Sequence, residues 1–266
     1  MFRLGILGVG NMGEAILRGT LKGHAADAKS ITIFDPNVQK TVALQQELNI
    51  CVAESIPQLL ENSDVLLLAV KPNICASVFL EYQSYFSEKA ILSIIAGWSR
   101  NRLAMHLPTN TRIMHIMPNT PAMVGEGMIV FEQGDTLTDD ERAYAKTLFS
   151  AIGKIITVDA KLMNAVTGVS GSGPAYVYIL IEAMGDAGVR AGLARSIAYE
   201  LAAQTVLGSA KMVLETGIHP GELKDRVCSP GGTTIDAVAA LEKFGFRNAV
   251  LEAISICCDK SEHMSK

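Results

Sequence analysis

The feature that most narrows what this chain can fold into lies near its start. Leu4-Gly-Ile-Leu-Gly-Val9 has the length and apolar character of a buried strand, and it runs directly into Gly10-Asn11-Met12-Gly13. A helical run from Glu14 to Leu21 follows. Gly8, Gly10 and Gly13 therefore fit G-x-G-x-x-G between a strand and a helix, the context in which that pattern carries a mechanism. The first glycine permits a tight turn, the second lets a pyrophosphate approach the backbone, and the third lets helix and strand pack closely. The N–H groups of the helix start, with the positive end of its dipole, then face the phosphates. Asn11 and Met12 lie within the same turn.

A second strand, Ile31-Thr-Ile-Phe34, ends in Asp35, about 20 residues after the glycines, where dinucleotide folds place an acid. A carboxylate there accepts hydrogen bonds from the adenosine ribose hydroxyls and repels a 2′-phosphate. No arginine follows closely; Asn37, Gln39 and Lys40 are the nearby polar residues. The cofactor is thus NADPH or NADH, with Asp35 leaning toward NADH.

The alternation continues with a helix over 38–48, a strand over 64–70, and further strands over 90–95, 111–116 and 127–131. A helix over 138–152 and a strand over 154–158 close the pattern. Strands alternating with helices predict an α/β fold, a Rossmann-type doubly wound parallel sheet, over residues 1–158. Ligands of such sheets lie at the carboxyl ends of the strands. Ala69, Val70, Lys71, Pro72, Ala96, Gly97 and Asn119 are accordingly expected to flank the cofactor. From residue 159 to 266 the pattern is helical only. A helix start is expected at Gly171-Ser-Gly-Pro174, because proline suits a first helical turn.

Of the 266 residues, 49% are hydrophobic and 19% charged. The helix over 196–213 is small and apolar on most sides, more than one subunit readily buries, which predicts an intertwined helical dimer. The net charge of −4 supplies no electrostatic footprint for nucleic acid or an anionic membrane. No leader pattern or membrane-length apolar run is expected. Cys51, Cys75, Cys228, Cys257 and Cys258 form no metal spacing and read as reduced thiols, which points to the cytoplasm. No metal site is expected.

The second chemical feature is Cys228-Ser229-Pro230-Gly231-Gly232-Thr233-Thr234. Proline and two glycines break one helical run and two threonines open another. That geometry gathers unpaired N–H groups at a helix start, where an anion can sit. None of His24, His106, His115, His219 and His263 shows a readable arrangement with Asp or Ser, and His115 reads as a core residue within a strand. Hydride transfer without a titrating base suits a C=N substrate, since an imine can arrive already protonated.

Taken together these segments resemble the Δ1-pyrroline-5-carboxylate reductase family. The resemblance rests on Gly8-Val-Gly-Asn-Met-Gly13, Leu68-Ala-Val-Lys-Pro72, Ala96-Gly97 and Met117-Pro-Asn-Thr-Pro121. It continues through Val166-Thr-Gly-Val-Ser-Gly-Ser-Gly-Pro-Ala175 and Leu223-Lys-Asp-Arg-Val-Cys-Ser-Pro-Gly-Gly-Thr-Thr234, covering nearly the whole chain. It implies an oxidoreductase that reduces the cyclic imine to L-proline with NADPH or NADH. It also implies that the substrate carboxylate rests on Ser229, Gly231, Gly232 and Thr233, with the Thr234 hydroxyl facing the ring nitrogen as the catalytic group. A homodimer at least is implied, and rings of five dimers occur in the family. By the same resemblance the active site lies between one subunit's sheet and a loop of its partner. The alternatives are a reductase of a related cyclic imino acid and a non-catalytic dinucleotide-sensing protein. A β-hydroxyacid dehydrogenase would resemble a pattern with a lysine early in the first C-terminal helix, and residues 174–185 contain none.

Overall fold

Four consecutive buried residues, Leu4–Leu7, form β1, and their continuous apolarity is what a parallel strand covered on both faces requires. The structure, a computed structural model, describes residues 2–265. β1 pairs in parallel with β2 (Ile31–Phe34) on one side and with β4 (Val65–Leu68) on the other. Outward from β2 comes β3 (Cys51–Val52). Outward from β4 come β5 (Ala90–Ser93), β6 (Arg112–Met117), β7 (Gly127–Glu132) and β8 (Gly153–Val158), giving the order β3-β2-β1-β4-β5-β6-β7-β8. The chain reverses its direction of travel across the sheet between β1 and β4, and that switch point is where such sheets bind ligands.

Side chains alternate across the pleat, which splits the core in two. Leu4, Ile6, Val65 and Leu67 join the cluster under α1 (Asn11–Lys22), α2 (Val38–Leu48) and α6 (Asp139–Ser150), where Ile16, Leu17, Leu44 and Phe149 are buried. Leu7, Leu66 and Leu68 face α3 (Ile56–Glu61), α4 (Pro72–Glu81) and α5 (Arg100–His106) with Leu59, Phe79 and Leu103. On that side Phe79 meets Phe86 and Trp98 edge-on, with ring centroids 5.5 and 5.4 Å apart. Each such fully buried side chain contributes roughly 1.5–3 kcal/mol.

The sheet departs from the expected all-parallel pattern at one place. β7 runs antiparallel to β6, with Ile116 opposite Phe131 and Met117 opposite Val130. Only residues 118–126 join the two strands, a short 3₁₀ turn among them, and a parallel return needs a crossover of a dozen residues or more. α6 then provides that crossover, and β8 returns parallel to β7. β3, a two-residue strand, was not expected from the sequence.

The helix expected to begin at Gly171–Pro174 does begin there, at Gly173, with Pro174 in its first turn. What was not expected lies just before it: a single α-turn, α7 (Met163–Val166), passes into a π-turn over Thr167–Gly171. The wider turn places Ser172 N–H on Thr167 O at 2.8 Å. The remaining helices are α8 (Gly173–Arg190), α9 (Arg195–Thr216), α10 (Pro220–Val227), α11 (Thr233–Lys243) and α12 (Phe246–Ser265).

Contacts group residues 1–172 with 257–266 in one compact unit and residues 173–256 in another. In the second unit α8 and α9 pack together through small residues: a Cβ on Gly185 would lie 2.7 Å from the Tyr199 ring. Ile197, Leu201, Leu207 and Leu214 of α9 are about half exposed or more. Among the described residues no helix is long and apolar enough to cross a membrane.

Candidate active site

The glycine turn is tight for identifiable reasons. Gly8 has φ +95°, and a Cβ there would stand 2.8 Å from Ala69 O; its N–H donates to Phe34 O at 2.8 Å. A Cβ on Gly13 would stand 2.2 Å from Gly8 O, so this glycine lets α1 close onto β1. Gly10 is different: nothing in the protein lies within 4 Å of where its Cβ would be. It is also the N-cap of α1, with no side chain capping the helix. Backbone N–H groups at this end are thus offered to an anion that can approach closely.

Asp35 closes the other side of the turn. Its Oδ2 accepts the Val9 N–H and its Oδ1 accepts the Asn37 N–H, each at 2.9 Å. Because each oxygen has a second lone pair, the carboxylate is held in place and can still receive ribose hydroxyls. A hollow of about 450 Å³ brings Gly8, Gly10, Asp35, Ala69, Val70 and Lys71 together, with Ile56 and Ile74 supplying an apolar side. The size and chemistry suit the adenosine and pyrophosphate portions of a dinucleotide. Lys71 is exposed at the start of α4, and Pro72 is the first residue of that helix.

The remaining expected cofactor residues do not line this hollow. Gly97, after Ala96, has φ +72° and lies against the end of α12, its would-be Cβ 3.4 Å from Met264. Arg102 ties the two segments: its Nη1 donates to Gly97 O at 3.2 Å and Met264 O at 2.9 Å, with the guanidinium over the Trp98 ring. Asn119 is buried, with its amide engaged at both ends. Its Oδ1 accepts the Met128 N–H at 2.9 Å and its Nδ2 donates to Ser170 O at 3.1 Å.

One arrangement escaped sequence reasoning. His115, expected to have no readable partner, has its Nδ1 2.7 Å from Glu132 Oε2, and both residues are buried. Arg100 Nε lies 3.6 Å from the same carboxylate, and His115 Nε2 has no hydrogen-bond partner. Spacing could not reveal this pair, because it depends on the antiparallel return of β7. The other histidines are local: His219 Nδ1 accepts the Gly221 N–H at 3.1 Å and caps α10.

In the helical unit, α11 opens with Gly232 as its N-cap and no side chain on its first N–H groups. Gly231 has φ +67°, and Gly232 N–H donates to Ser229 O at 3.0 Å. A Cβ on Gly232 would come within 2.4 Å of Ser229 Oγ, so the turn folds back tightly on Ser229. Thr233 and Thr234 are the first two residues of α11, beside these N–H groups. Ser229, Gly231, Gly232, Thr233 and Thr234 are thus brought together as one turn.

Two family models match the chain. Residues 160–264 match the family model described as pyrroline-5-carboxylate reductase dimerisation. Residues 3–97 match the one described as NADP oxidoreductase coenzyme F420-dependent. The chain is 44% identical to pyrroline-5-carboxylate reductase of Escherichia coli over 265 residues, covering 99% of this chain and 98% of that protein. It is 43% identical to the protein of that name from Synechocystis, covering 99% and 98%. Among solved structures it is similar to Plasmodium falciparum pyrroline carboxylate reductase with NADP bound. The TM-score is 0.91 at 32% identity, covering 100% of this chain and 98% of that one.

Proposed function

The chain belongs to the pyrroline-5-carboxylate reductase family, and we propose that Thr234 and the Ser229–Thr233 turn carry out that family's reaction at the Δ1-pyrroline-5-carboxylate ring. It is an NAD(P)H-dependent oxidoreductase acting on a C=N bond. The product is L-proline. When bound, NAD(P)H would supply the hydride that the imine carbon receives. Everything else falls to the protein. Gly8, Gly10 and the first turn of α1 take the pyrophosphate, Asp35 the adenosine ribose, and Ala69–Pro72 the adjoining strand end. Ala96, Gly97 and Asn119 would serve the nicotinamide half.

The observation that carries this reading is the uncapped start of α11 behind Gly231 and Gly232. A substrate carboxylate resting there places its own ring nitrogen beside Thr234. A threonine hydroxyl is too weak an acid to give up its proton outright, but it can donate a hydrogen bond to the nitrogen as the C=N bond is reduced. The iminium arrives with its proton, so no titrating base is required.

The dimerisation segment and the relatives support association of subunits. The working unit in this reading is a homodimer at least, and a ring of five dimers remains within it. The five free cysteines suit a reducing cytoplasm. The division into a dinucleotide part over 1–158 and a substrate part over 159–266 belongs to the same reading.

The test is steady-state loss of reduced nicotinamide with Δ1-pyrroline-5-carboxylate and, separately, with its six-membered homologue. Turnover with the five-membered ring is expected. Dinucleotide binding without turnover of either ring would point instead to a sensor.

A further inference from the structure

Glu14 lies in the first turn of α1, immediately after Gly13. Its two carboxylate oxygens are divided between two cations: Oε2 lies 2.7 Å from Lys40 Nζ and Oε1 2.8 Å from Arg18 Nε. The other arm of Arg18 is taken by Glu47, at 2.6 and 2.8 Å. All four side chains are partly exposed, so these are pairs at an accessible surface and not core features.

The position of Lys40 gives the network its meaning. It is the third residue of α2, five beyond Asp35, in the stretch that follows the ribose carboxylate of a dinucleotide fold. A cation at that end of the second strand is what a 2′-phosphate needs. Here Lys40 reaches back across the turn to Glu14. Asp35 itself is held by Val9 and Asn37, as described, and cannot easily swing away from an incoming phosphate. Burial tends to raise the Glu14 carboxyl, but the hydrogen bonds from Lys40 and Arg18 outweigh it and hold the group below its usual range. It therefore stays ionised through neutral pH.

We propose that Glu14 and Asp35 together make this protein prefer NADH: Asp35 receives the ribose hydroxyls, and Glu14 withholds Lys40 from a 2′-phosphate. Glu14 touches neither substrate nor cofactor in this account; it is a positioning residue that acts through Lys40. The inference rests on the dinucleotide-reductase reading above.

The experiment measures Kd for NADH and for NADPH by calorimetry, alongside kcat/KM with the cyclic imino acid. The protein is used unmodified and as Glu14→Gln, Lys40→Met and Glu14→Gln/Lys40→Met. Unmodified protein is expected to favour NADH by at least about tenfold. Glu14→Gln should tighten NADPH several-fold, and this gain should shrink as salt rises, because it comes from a solvent-exposed charge. Lys40→Met alone should leave NADPH where it was, and the double variant should lose the gain. Equal affinity, or a preference for NADPH, in the unmodified protein would overturn the proposal. So would a Glu14→Gln gain that survives in the double variant. Failure to bind either dinucleotide would instead sink the underlying reading.

Discussion

His115 on β6 and Glu132 on β7 are buried partners, their Nδ1 and Oε2 atoms 2.7 Å apart across the antiparallel step of the sheet. Removing one member of such a pair strands the other away from water. Glu132→Ala should therefore lower unfolding free energy by about 1–3 kcal/mol, with Glu132→Gln milder because an acceptor oxygen remains. Urea denaturation reads this directly. An unchanged midpoint for the alanine variant would mean the pair is energetically idle.

The second and third glycines of the turn should separate folding from cofactor binding. Gly13→Ala forces a methyl onto Gly8 O, and overpacking of that kind costs about 1–3 kcal/mol. Gly10→Ala meets nothing within the protein, so its denaturation midpoint should stay near that of the unmodified chain. Its dinucleotide Kd should rise all the same, because the methyl occupies the space the pyrophosphate needs. Equal affinity in Gly10→Ala would remove Gly10 from the site.

Thr234 offers a kinetic test. Thr234→Ala should lower kcat by about a hundredfold, the scale of losing one positioned donor, while dinucleotide Kd changes little. Thr234→Ser should recover much of the rate. Turnover of the alanine variant within about twofold of the unmodified enzyme would mean the hydroxyl has no role in the chemical step.

Acid stability should respond to the Glu141–Arg112 pair, 2.7 Å apart with Glu141 nearly buried. Burial tends to raise this carboxyl, but hydrogen bonds from Arg112 and Thr138 hold it below its usual 4.5. A carboxyl depressed by folding stabilises the native state fully above its unfolded value and ceases to do so as pH falls through its folded value. Glu141→Gln should accordingly flatten the decline in stability below about pH 4.5 relative to the unmodified chain. A denaturation series across acid pH that is parallel for the two proteins would count against it.

What was legible in the sequence was what depends on local period and turn chemistry. β2 and α2 lie where their apolar spacing put them, and α11 begins at Thr233 after the two glycines. The glycine turn was readable because Gly8 and Gly13 each meet a steric limit while Gly10 leaves open space between them. What escaped depends on which strand lies beside which. The reversed β7 follows from a connection too short to cross over, and the His115–Glu132 pair follows from that reversal. Two expected cofactor residues showed a second occupation that no motif discloses. Asp35 also fastens the glycine turn through Val9, and Asn119 stitches β7 to the π-turn. The π-turn itself is invisible in a pattern read at 3.6 residues per turn.

The half-exposed leucines of α9 bear on how this protein must be handled. A chain that completes its burial only by association folds under mass action, so dilution is itself a denaturant. Its melting temperature should climb with protein concentration. A substitution at Leu201 or Leu207 could look harmless in a concentrated sample yet prove severe at the nanomolar levels of a kinetic assay.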